Sequence, residues 1–503
     1  MRSHDGESPI VTHDGRSVAS LAGAGSVHPG PPVNGILSSL GAFDARRFIA
    51  AECLVLLVTL ACFAPPQNDT WWALAAGRAM VADGRVMLTE QFSHTAYGSR
   101  WANNGWLSQI IFYQAYHLGG MPLLTALCAL LLAGACVLAW RLMRGPIEDR
   151  ILIFALAFPL VTPEWSLRPQ AFTLVILVLV VHLVLRERFW ALPLVFCLWA
   201  NLHSAVALGL IVLGGDFVAA VVARRDLRRR AAAGVLSLGA TMLTPLGLSL
   251  WPEVWRSLQR SRVNRITEWQ PPTLSIGYAV FWLVVVALLW LAVTHWRRAR
   301  RYQDRTLAVV SLLLMTLAVR SMRNMAPFAL VAAPAMSRLV WFKEQTPQVT
   351  HARGYQAASL VRALTLALSI LVAVLVVYHR WTADPPPSAW APVSREAAAA
   401  IRDCPGPIYN HYNDGGFLIW FVPEQKVFID SRQDPYPILL SQAEDEAVLT
   451  GSYRTLFDQY RIRCAVVRPD SSAVSALGRE GWLLTYRDSQ WAVIRSAGSA
   501  GQE

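Results

Sequence analysis

The sequence predicts a polytopic α-helical membrane protein of about eleven transmembrane helices, followed by a C-terminal extracytoplasmic α/β domain. Three observations predict this fold class. Of the 503 residues, 54% are hydrophobic and only 16% are charged, whereas soluble domains are about 25% charged. Long apolar runs alternate with short arginine clusters, as in membrane proteins that are oriented by charge. Beyond residue 400 the long apolar runs give way to short strand and helix patterns.

Composition also limits what the protein can bind. The net charge of +12 comes from 45 Lys and Arg residues against 33 Asp and Glu residues, and Lys343 and Lys426 are the only lysines. Because the arginines lie in short clusters between apolar runs, they indicate loops that set membrane orientation and not a nucleic-acid surface. Seven cysteines are too few for a disulfide scaffold. Cys404 and Cys464, which lie outside the apolar segments, can pair in an oxidising compartment.

The transmembrane region is predicted at 45–379. Residues 1–44 contain no apolar run, so we expect a disordered cytoplasmic tail and not a signal peptide. A span needs about 20 apolar residues, and the candidates are 48–65, 121–140, 151–162, 169–185, 190–203, 204–222, 231–248, 276–295, 306–320, 325–341 and 362–379. With the N-terminus inside, the cytoplasmic loops carry more arginine than the opposite loops. An odd number of spans then places the C-terminus outside.

Two regions outside the membrane are long. The first is the loop 66–120, in which apolar spacing predicts a short helix around residues 74–81 and another at 104–117. The second follows a linker at 380–400 and forms the α/β domain at 401–503. Its predicted strands are 417–421, 427–430, 464–467, 482–486 and 491–494, and its predicted helices lie near 438–448 and 452–460.

Several polar residues are predicted on the outer side of the membrane. Asp69 directly follows the first span, and taken alone it is best interpreted as a helix N-cap. The tryptophans of this loop, taken singly, are typical of the aromatic belt at the membrane surface, namely Trp71, Trp72, Trp101 and Trp106. Charged groups at span ends are usually anchors when they occur singly; here they are Glu164, Arg168, Arg320 and Arg323, with His203 at another span end.

Their convergence on one side predicts a pocket for an anionic lipid phosphate that carries a sugar. Guanidinium groups bind phosphate, aromatic rings stack on sugars, and a carboxylate can accept a proton from an attacking hydroxyl. His94 and His203 are secondary candidates for positioning the substrate. Asp414 and Asp430, in the C-terminal domain, are interpreted as turn residues.

Several motifs carry a resemblance to a known superfamily. They are Asp-Thr-Trp-Trp (69–72) with Ala-Gly-Arg (76–78), Arg-Pro-Gln-Ala-Phe (168–172), Trp-Ala-Asn-Leu-His (199–203), Thr-Pro-Leu-Gly (244–247), Glu-Trp-Gln-Pro-Pro (268–272) and Arg-Asn-Met-Ala-Pro-Phe (323–328). Over residues 48–341 the chain resembles the GT-C superfamily of membrane glycosyltransferases, in particular its bacterial Rgt-type and ArnT-like members. The tail motifs at 410–420 and 428–432 resemble the same relatives. The resemblance implies that Asp69 is the catalytic base or a metal ligand.

The sequence departs from many members of this superfamily because no second acid adjoins Asp69. The next acids are Asp83 and Glu90, whereas a hard divalent ion needs several oxygen ligands close together. We therefore expect no metal site, no cofactor and a metal-independent, inverting displacement. No phosphate-loop or Rossmann glycine motif is present, which argues against a soluble nucleotide-sugar donor.

The expected function is transfer of a sugar from a polyprenyl-phosphate donor to an extracytoplasmic glycan, lipid or protein, in a bacterial inner membrane. Asp69 would be the catalytic base, and Arg168, Arg320 and Arg323 would bind the donor phosphate. The predicted contacts with sugar and acceptor are Trp71, Trp72, His94, Trp106, Glu164 and His203. Two alternatives remain open: a non-catalytic scaffold subunit of an envelope assembly system, and a transporter of lipid-linked substrates.

Overall fold

A computed structural model of the protein describes residues 45–263, 267–297, 299, 301–340, 355–383 and 388–497. The expected disordered tail at 1–44, Lys343, and residues 384–387 of the predicted linker lie outside these residues. The predicted boundaries of the domains are therefore compared only where the chain is described.

The first part of the chain is almost entirely helical. Its helices are α1 (Ala45–Ala61), α2 (Asn68–Asp83), α3 (Trp106–Leu142), α4 (Ile147–Ala157), α5 (Gln170–Leu185), α6 (Leu192–Leu202), α7 (Ala207–Val222), α8 (Leu227–Ala240), α9 (Leu250–Val263), α10 (Ala279–His295), α11 (Tyr302–Arg320), α12 (Met325–Val340) and α13 (Tyr355–Trp381). Within the described ranges, five helical segments are long and apolar enough to cross a membrane, namely Trp106–Leu142, Ser204–Val222, Ile276–His295, Tyr302–Arg320 and Val361–Trp381. Each predicted span overlaps a helix, and shorter apolar helices lie at α5 and α6, while the number of about eleven spans stays a prediction.

Three local predictions are corrected. The separate helices expected at 104–117 and 121–140 form the single element α3, which is kinked where Gly119 and Gly120 leave helical geometry and Gly120 has a φ of 62°. The span expected at 231–248 ends at Ala240, because the chain turns before Pro245 and a residue that precedes proline disfavours helical geometry. Helix α9 was not predicted, because its arginines and its single proline interrupt the apolar pattern from which the other helices were predicted.

Close helix packing depends on small residues. On α2, a side chain at Gly77 would place its Cβ 2.2 Å from the carbonyl oxygen of Gln109 on α3, so only glycine fits there. Helix α12 is buried along nearly its whole length and is rich in alanine. Helix α13 packs against α1, where Ser369 donates to Glu52 over 3.2 Å, while its apolar residues remain exposed, as expected of a helix that faces lipid.

Buried ion pairs join neighbouring helices on the side that is far from the long loop. Arg230 lies 3.0 Å from Asp216, and Arg338 lies 3.0 Å from Asp304. Asp304 begins α11 and Arg320 ends it, so at 1.5 Å per residue the two ends are separated by about 24 Å. Asp216 lies within α7 and not at a span end, which was not expected. Its pairing with Arg230 is consistent with a structural role.

The C-terminal domain, residues 388–497, contains a small mixed sheet covered by helices. Its elements are α14 (Arg395–Arg402), β1 (Ile408–Tyr409), α15 (Gly415–Phe421), α16 (Ile438–Thr450), α17 (Arg454–Tyr460), β2 (Cys464–Val467), α18 (Ser472–Arg479), β3 (Leu483–Arg487) and β4 (Ala492–Arg495). The strand order is β1-β2-β4-β3, with β1 parallel to β2 and the other pairs antiparallel. Cys404, after α14, forms a disulfide bond with Cys464 on β2.

Two of the predicted strands are wrong. Residues 417–421 belong to α15, and 427–430 form an extended segment whose Val427 makes a single bridge to Ser93 of the long loop. The first error arises because an apolar run of five residues fits a short buried helix as well as a strand. The strands at β2, β3 and β4 and the helices α16 and α17 are present close to their predicted positions.

The long loop and the C-terminal domain pack together as one unit. Helix α15 lies against α2, and a Cβ on Gly416 would lie 2.2 Å from Oδ1 of Asn68. The adjacent Gly415 faces the carbonyl oxygen of Ile429 at the same distance. The pair of glycines therefore brings the segment 429–434 next to the start of α2, where Asp69 lies.

Candidate active site

Asp69 lies in the first turn of α2 and its carboxylate is held by three neighbours. The helix N-cap is Gln67 and not Asp69, so the side chain of Asp69 is free for other contacts. Its Oδ1 accepts a hydrogen bond from Trp72 Nε1 over 3.0 Å and from the hydroxyl of Ser431 over 2.5 Å. Its Oδ2 lies 3.4 Å from Arg168 Nη1.

Arg168 is the centre of a buried charge cluster. Its guanidinium contacts three carboxylates: Glu268 at 2.8 Å, Asp69 at 3.4 Å and Glu164 at 3.7 Å. Its Nε also donates to Ser166 over 3.0 Å. A buried guanidinium with several carboxylate partners is strongly anchored, because its removal would leave neighbouring carboxylates without a compensating charge.

The pKa values in this cluster follow burial and charge. Burial alone would lower the pKa of Arg168, but Asp69, Glu268 and Glu164 outweigh it and raise that pKa. Burial likewise opposes the ionisation of Glu268, yet Arg168 and Arg323 lower its pKa overall. For Glu164 burial dominates and raises the pKa. Arg168 therefore stays charged, and its partner Glu268 is held in the ionised form.

A cavity of about 150 Å³ opens beside Asp69. It is formed by the start of α2, the start of α3, the start of α5, the junction of α6 and α7, and the C-terminal domain. The residues that line it are mostly polar or aromatic: Asp69, Trp72, Trp101, Asn103, Asn104, Gln109, Gln170, His203, Ser204, Ser257, Trp269, Arg323, Ser431, Arg432, Gln433 and Asp434.

Arg323 is the cavity cation with the loosest contacts. Its Nη1 lies 3.8 Å from Glu268, and its guanidinium lies 5.2 Å from the centre of the Trp269 ring. The side chain is 26% exposed, compared with 5% for Arg168. Arg323 can therefore approach an anion in the cavity, whereas Arg168 is committed to its three carboxylates.

His203 contributes an N–H group to the cavity. Its Nδ1 accepts from the backbone N–H of Ala205 over 3.3 Å and lies 2.9 Å from the hydroxyl of Thr173, which in turn accepts from Trp199 Nε1. Since Nδ1 is an acceptor, the ring proton is assigned to Nε2. His203 is thus a fixed hydrogen-bond donor on the cavity wall.

The C-terminal wall of the cavity is anchored by a buried network of charges. Arg432 lies 2.6 Å from Glu90 of the long loop and 2.5 Å from Asp430, and the hydroxyl of Tyr436 donates to Asp430 over 2.5 Å. Glu90 also accepts two backbone N–H groups at residues 92 and 93 over 2.7 Å. Asp430 does form a turn, because it accepts the N–H of Arg432. It also forms a buried ion pair with the guanidinium of Arg432, so it is more than a turn residue.

Asp434 lies at the cavity edge beside α9. Burial raises its pKa to about 7, against the opposing charge of Arg260, whose Nη1 lies 3.9 Å from the carboxylate. Near neutral pH Asp434 is therefore partly protonated, so this wall carries less negative charge than its sequence implies. Asp414, at the start of α15, pairs with Arg468 at 2.8 Å and is likewise more than a turn residue.

Not all residues that were predicted to form the site lie in the cavity. Trp71 is fully buried against Phe421 of α15, with ring centres 4.7 Å apart. Trp106 donates to Asn201 over 2.8 Å, and His94 Nε2 contacts the carbonyl oxygen of Ile408 at 2.9 Å, at the junction with the C-terminal domain. Arg320 is exposed and is not among the lining residues. Of the predicted residues, Asp69, Trp72, His203 and Arg323 line the cavity, while Glu164 and Arg168 belong to the charge cluster that holds Asp69.

Sequence reasoning assigned no role to Glu268, Ser431, Arg432 or Asp434. Glu268 and Ser431 lie within two motifs that carried the resemblance, Glu-Trp-Gln-Pro-Pro (268–272) and Phe-Ile-Asp-Ser-Arg (428–432). The motifs therefore marked these segments, but nothing in them indicated that Glu268 or Ser431 contacts the site. Among the described residues, no group of three or more His, Cys, Asp or Glu side chains is arranged to hold a metal ion.

Comparison with known proteins gives a likeness in structure. No protein-family model and no curated protein sequence matches the chain. The oligosaccharyltransferase AglB of the archaeon Archaeoglobus fulgidus, solved with an inhibitory peptide and a dolichol-phosphate, is 11% identical with a TM-score of 0.55; the match covers 90% of this chain and 74% of that one. The apo form of the A. fulgidus enzyme is 11% identical with a TM-score of 0.53, and the match covers 85% of this chain and 70% of that one. ArnT of Cupriavidus metallidurans, bound to undecaprenyl phosphate, is 14% identical over 94% of this chain and 100% of that one, with a TM-score of 0.48.

The chain therefore has the GT-C fold that the sequence motifs predict. Its helical membrane region and its small C-terminal sheet are both consistent with that fold.

Proposed function

We propose that the protein is a membrane glycosyltransferase that moves a sugar from a polyprenyl-phosphate donor to an extracytoplasmic acceptor. The observation that carries the proposal is the cavity in which a held carboxylate, Asp69, faces a loosely paired guanidinium, Arg323. This combination suits a reaction in which one group accepts a proton and another stabilises a leaving phosphate. The fold likeness to an oligosaccharyltransferase solved with a dolichol-phosphate supports the same donor class.

The proposed reaction is a single, inverting displacement without a metal ion. The acceptor O–H bond breaks and its proton passes to Asp69, while the acceptor oxygen forms a bond to the anomeric carbon. The bond between that carbon and the phosphate oxygen breaks, and the electron pair leaves with the phosphate. Arg323 stabilises the departing charge, and Arg168 holds Asp69 in place through its 3.4 Å contact.

The remaining cavity groups would recognise the sugar. His203 offers a fixed N–H donor, and Asn104 and Gln170 offer amide groups that can bind hydroxyls. Trp72 and Trp269 provide aromatic faces of the kind on which sugar rings stack. The mostly polar lining thus favours a hydrophilic group over a purely apolar ligand.

We further propose about eleven spans, a cytoplasmic N-terminus and an extracytoplasmic C-terminal domain in a bacterial inner membrane. The excess of arginine in the predicted cytoplasmic loops supports this orientation. The disulfide bond between Cys404 and Cys464 supports an oxidising environment for the C-terminal domain.

The test is loss of transfer in Asp69→Asn, which keeps the shape of the side chain and removes its basicity. The full chain, reconstituted in proteoliposomes, is given undecaprenyl-phosphate carrying a radiolabelled hexose or pentose, and release of label into the aqueous phase is measured, with water as the surrogate acceptor. We expect at least a hundredfold fall in rate, which is the usual size of the contribution of general-base catalysis.

Asp83→Asn is the matched control, because Asp83 ends the same helix and its side chain is 45% exposed. It should release label at the wild-type rate. If Asp69→Asn is as active as the wild type, or if the wild type releases no label from any of these donors, the transferase proposal is wrong. Retention of the cellular role by Asp69→Asn would then favour a scaffold subunit.

A further inference from the structure

The hydroxyl group of Ser431 has only one direction available for its proton. Its oxygen accepts a hydrogen bond from Asn68 Nδ2 over 3.0 Å and from Trp72 Nε1 over 3.1 Å. Trp72 has one N–H, which is shared between Ser431 and Oδ1 of Asp69. Amide and indole nitrogens can only donate, so neither Asn68 Nδ2 nor Trp72 Nε1 can accept the hydroxyl proton. The proton therefore points to the remaining neighbour, Oδ1 of Asp69, at 2.5 Å.

This contact makes the two oxygens of the Asp69 carboxylate different. Oδ1 accepts the hydroxyl proton of Ser431 and shares the single indole N–H of Trp72 with the oxygen of Ser431. Among the residues that the structure describes, Oδ2 contacts only Arg168, over a longer distance of 3.4 Å. Oδ2 is thus the oxygen that remains able to accept a proton from a group in the cavity.

Ser431 is held rigidly although it lies on a loop. The next residue, Arg432, is fixed between Asp430 and Glu90 in the buried network. The carbonyl oxygen of Ser431 accepts the hydroxyl proton of Tyr412 over 2.8 Å. A side chain that positions a catalytic group needs this kind of support from surrounding contacts. The chain supplies it from a residue that is 362 positions away from Asp69.

We propose that Ser431 is a positioning residue that holds Oδ1 of Asp69 so that Oδ2 receives the acceptor proton. The proposal rests on the transferase function proposed above and adds that the C-terminal domain completes the active site. Ser431 keeps its own proton throughout. The O–H bond of the acceptor breaks toward Oδ2, a bond forms from the acceptor oxygen to the anomeric carbon, and the phosphate leaves with the electron pair of the broken bond.

The experiment compares three substitutions of Ser431 in the reconstituted full chain, with label release from the undecaprenyl-phosphate sugar as the rate. Ser431→Ala should lower kcat at least tenfold, because a hydrogen bond to a charged group is lost, while KM for the donor stays within twofold. Ser431→Thr keeps the hydroxyl and should recover most of kcat. Ser431→Cys keeps the size but donates weakly, so its kcat should resemble that of Ser431→Ala and its melting temperature that of the wild type.

Ser475→Ala is the matched control, since Ser475 is exposed on α18 of the same domain and its hydroxyl donates to the carbonyl oxygen of Ser472. A kcat within twofold of the wild type in both Ser431→Ala and Ser431→Cys overturns the positioning role. So does a Thr variant that folds normally and is as slow as the Ala variant. If Asp69→Asn is inactive while these Ser431 variants are fully active, only the positioning proposal fails; if Asp69→Asn is also fully active, the proposed function fails as well.

Discussion

At the scale of single residues, the structure separates two arginines that the sequence could not. Arg320 and Arg323 are three positions apart near the end of α11, and both were expected to bind the donor phosphate. Arg323 lines the cavity with its side chain 26% exposed, whereas Arg320 is exposed and outside the lining. The chain leaves helical geometry at Ser321, between the two arginines. The helical period therefore does not predict which of the two side chains faces the cavity.

We expect Arg323→Gln to raise KM for the undecaprenyl-phosphate sugar at least tenfold, because a charge-assisted contact with phosphate is lost. Arg320→Gln should have a clearly smaller effect on KM. The measurement is the donor dependence of label release in proteoliposomes, with melting temperatures to show that both variants fold. A larger effect of Arg320→Gln than of Arg323→Gln would contradict the assignment of the phosphate contact to the cavity.

Residue types at span ends did predict much of the cluster. Asp69, Arg168, Arg323 and His203 were selected from the sequence because these polar groups at span ends converge on the predicted outer side of the membrane, although each taken singly has an ordinary explanation. Ser431 could not be selected in this way, since a serine in a polar loop has no unusual feature. Its role depends on a contact across 362 positions, and neither periodicity nor spacing along the chain indicates such a contact.

At the scale of elements, the contact between α15 and α2 depends on glycine. An apolar run at 417–421 predicted a strand, whereas the preceding Gly415 and Gly416 allow the start of a helix to approach the backbone of Asn68 and Ile429. A run of five apolar residues was too short to distinguish a helix from a strand. The two glycines were the better signal, because such close approach between backbones requires them.

Gly416→Ala should lower both stability and label release. The added Cβ would lie 2.2 Å from Oδ1 and 2.3 Å from the carbonyl oxygen of Asn68, so α15 must move away from α2, at a cost of about 1–3 kcal/mol. Because Asn68 adjoins Asp69 and donates to Ser431, we expect the rate to fall more than the melting temperature alone explains. The measurements are thermal unfolding followed by tryptophan fluorescence and label release at 25 °C.

Gly478→Ala is the control for this substitution. Gly478 lies within α18, and an added Cβ there would meet no atom within 4 Å. Alanine favours helix over glycine by about 1 kcal/mol, so this variant should be as stable as the wild type or more stable, with an unchanged rate. Equal behaviour of the two alanine variants would show that the close contact between α15 and α2 does not matter.

At the scale of the whole molecule, the predicted division into a membrane region, a linker and a separate outer domain is simpler than the structure. The predicted outer loop and the C-terminal domain share the cavity, a buried pair between Glu90 and Arg432, and apolar contacts between α2 and α15. Hydropathy identifies which segments leave the membrane, but it carries no information about which of them pack together. The fold class was therefore predictable from composition, and the shared site was not.

This shared unit must lie on one side of the membrane, and the disulfide bond indicates which. Cys404 and Cys464 are 60 positions apart, and their bond joins the segment after α14 to the central strand β2. Disulfide bonds persist in oxidising compartments and are rare in the cytosol. We therefore expect the cavity to open on the extracytoplasmic side, with the paired ends of α7, α8 and α11 on the cytoplasmic side.

A pair of introduced cysteines tests this orientation in bacterial spheroplasts. Ser475 is exposed on the C-terminal domain and Arg229 is 82% exposed near the start of α8, so neither substitution disturbs a buried contact. A membrane-impermeant maleimide should label Ser475→Cys in intact spheroplasts and label Arg229→Cys only after lysis, with the wild-type chain as the background. The reverse pattern would place the cavity in the cytosol, where a disulfide would not persist, and a donor that presents its sugar outside the cell could not reach Asp69.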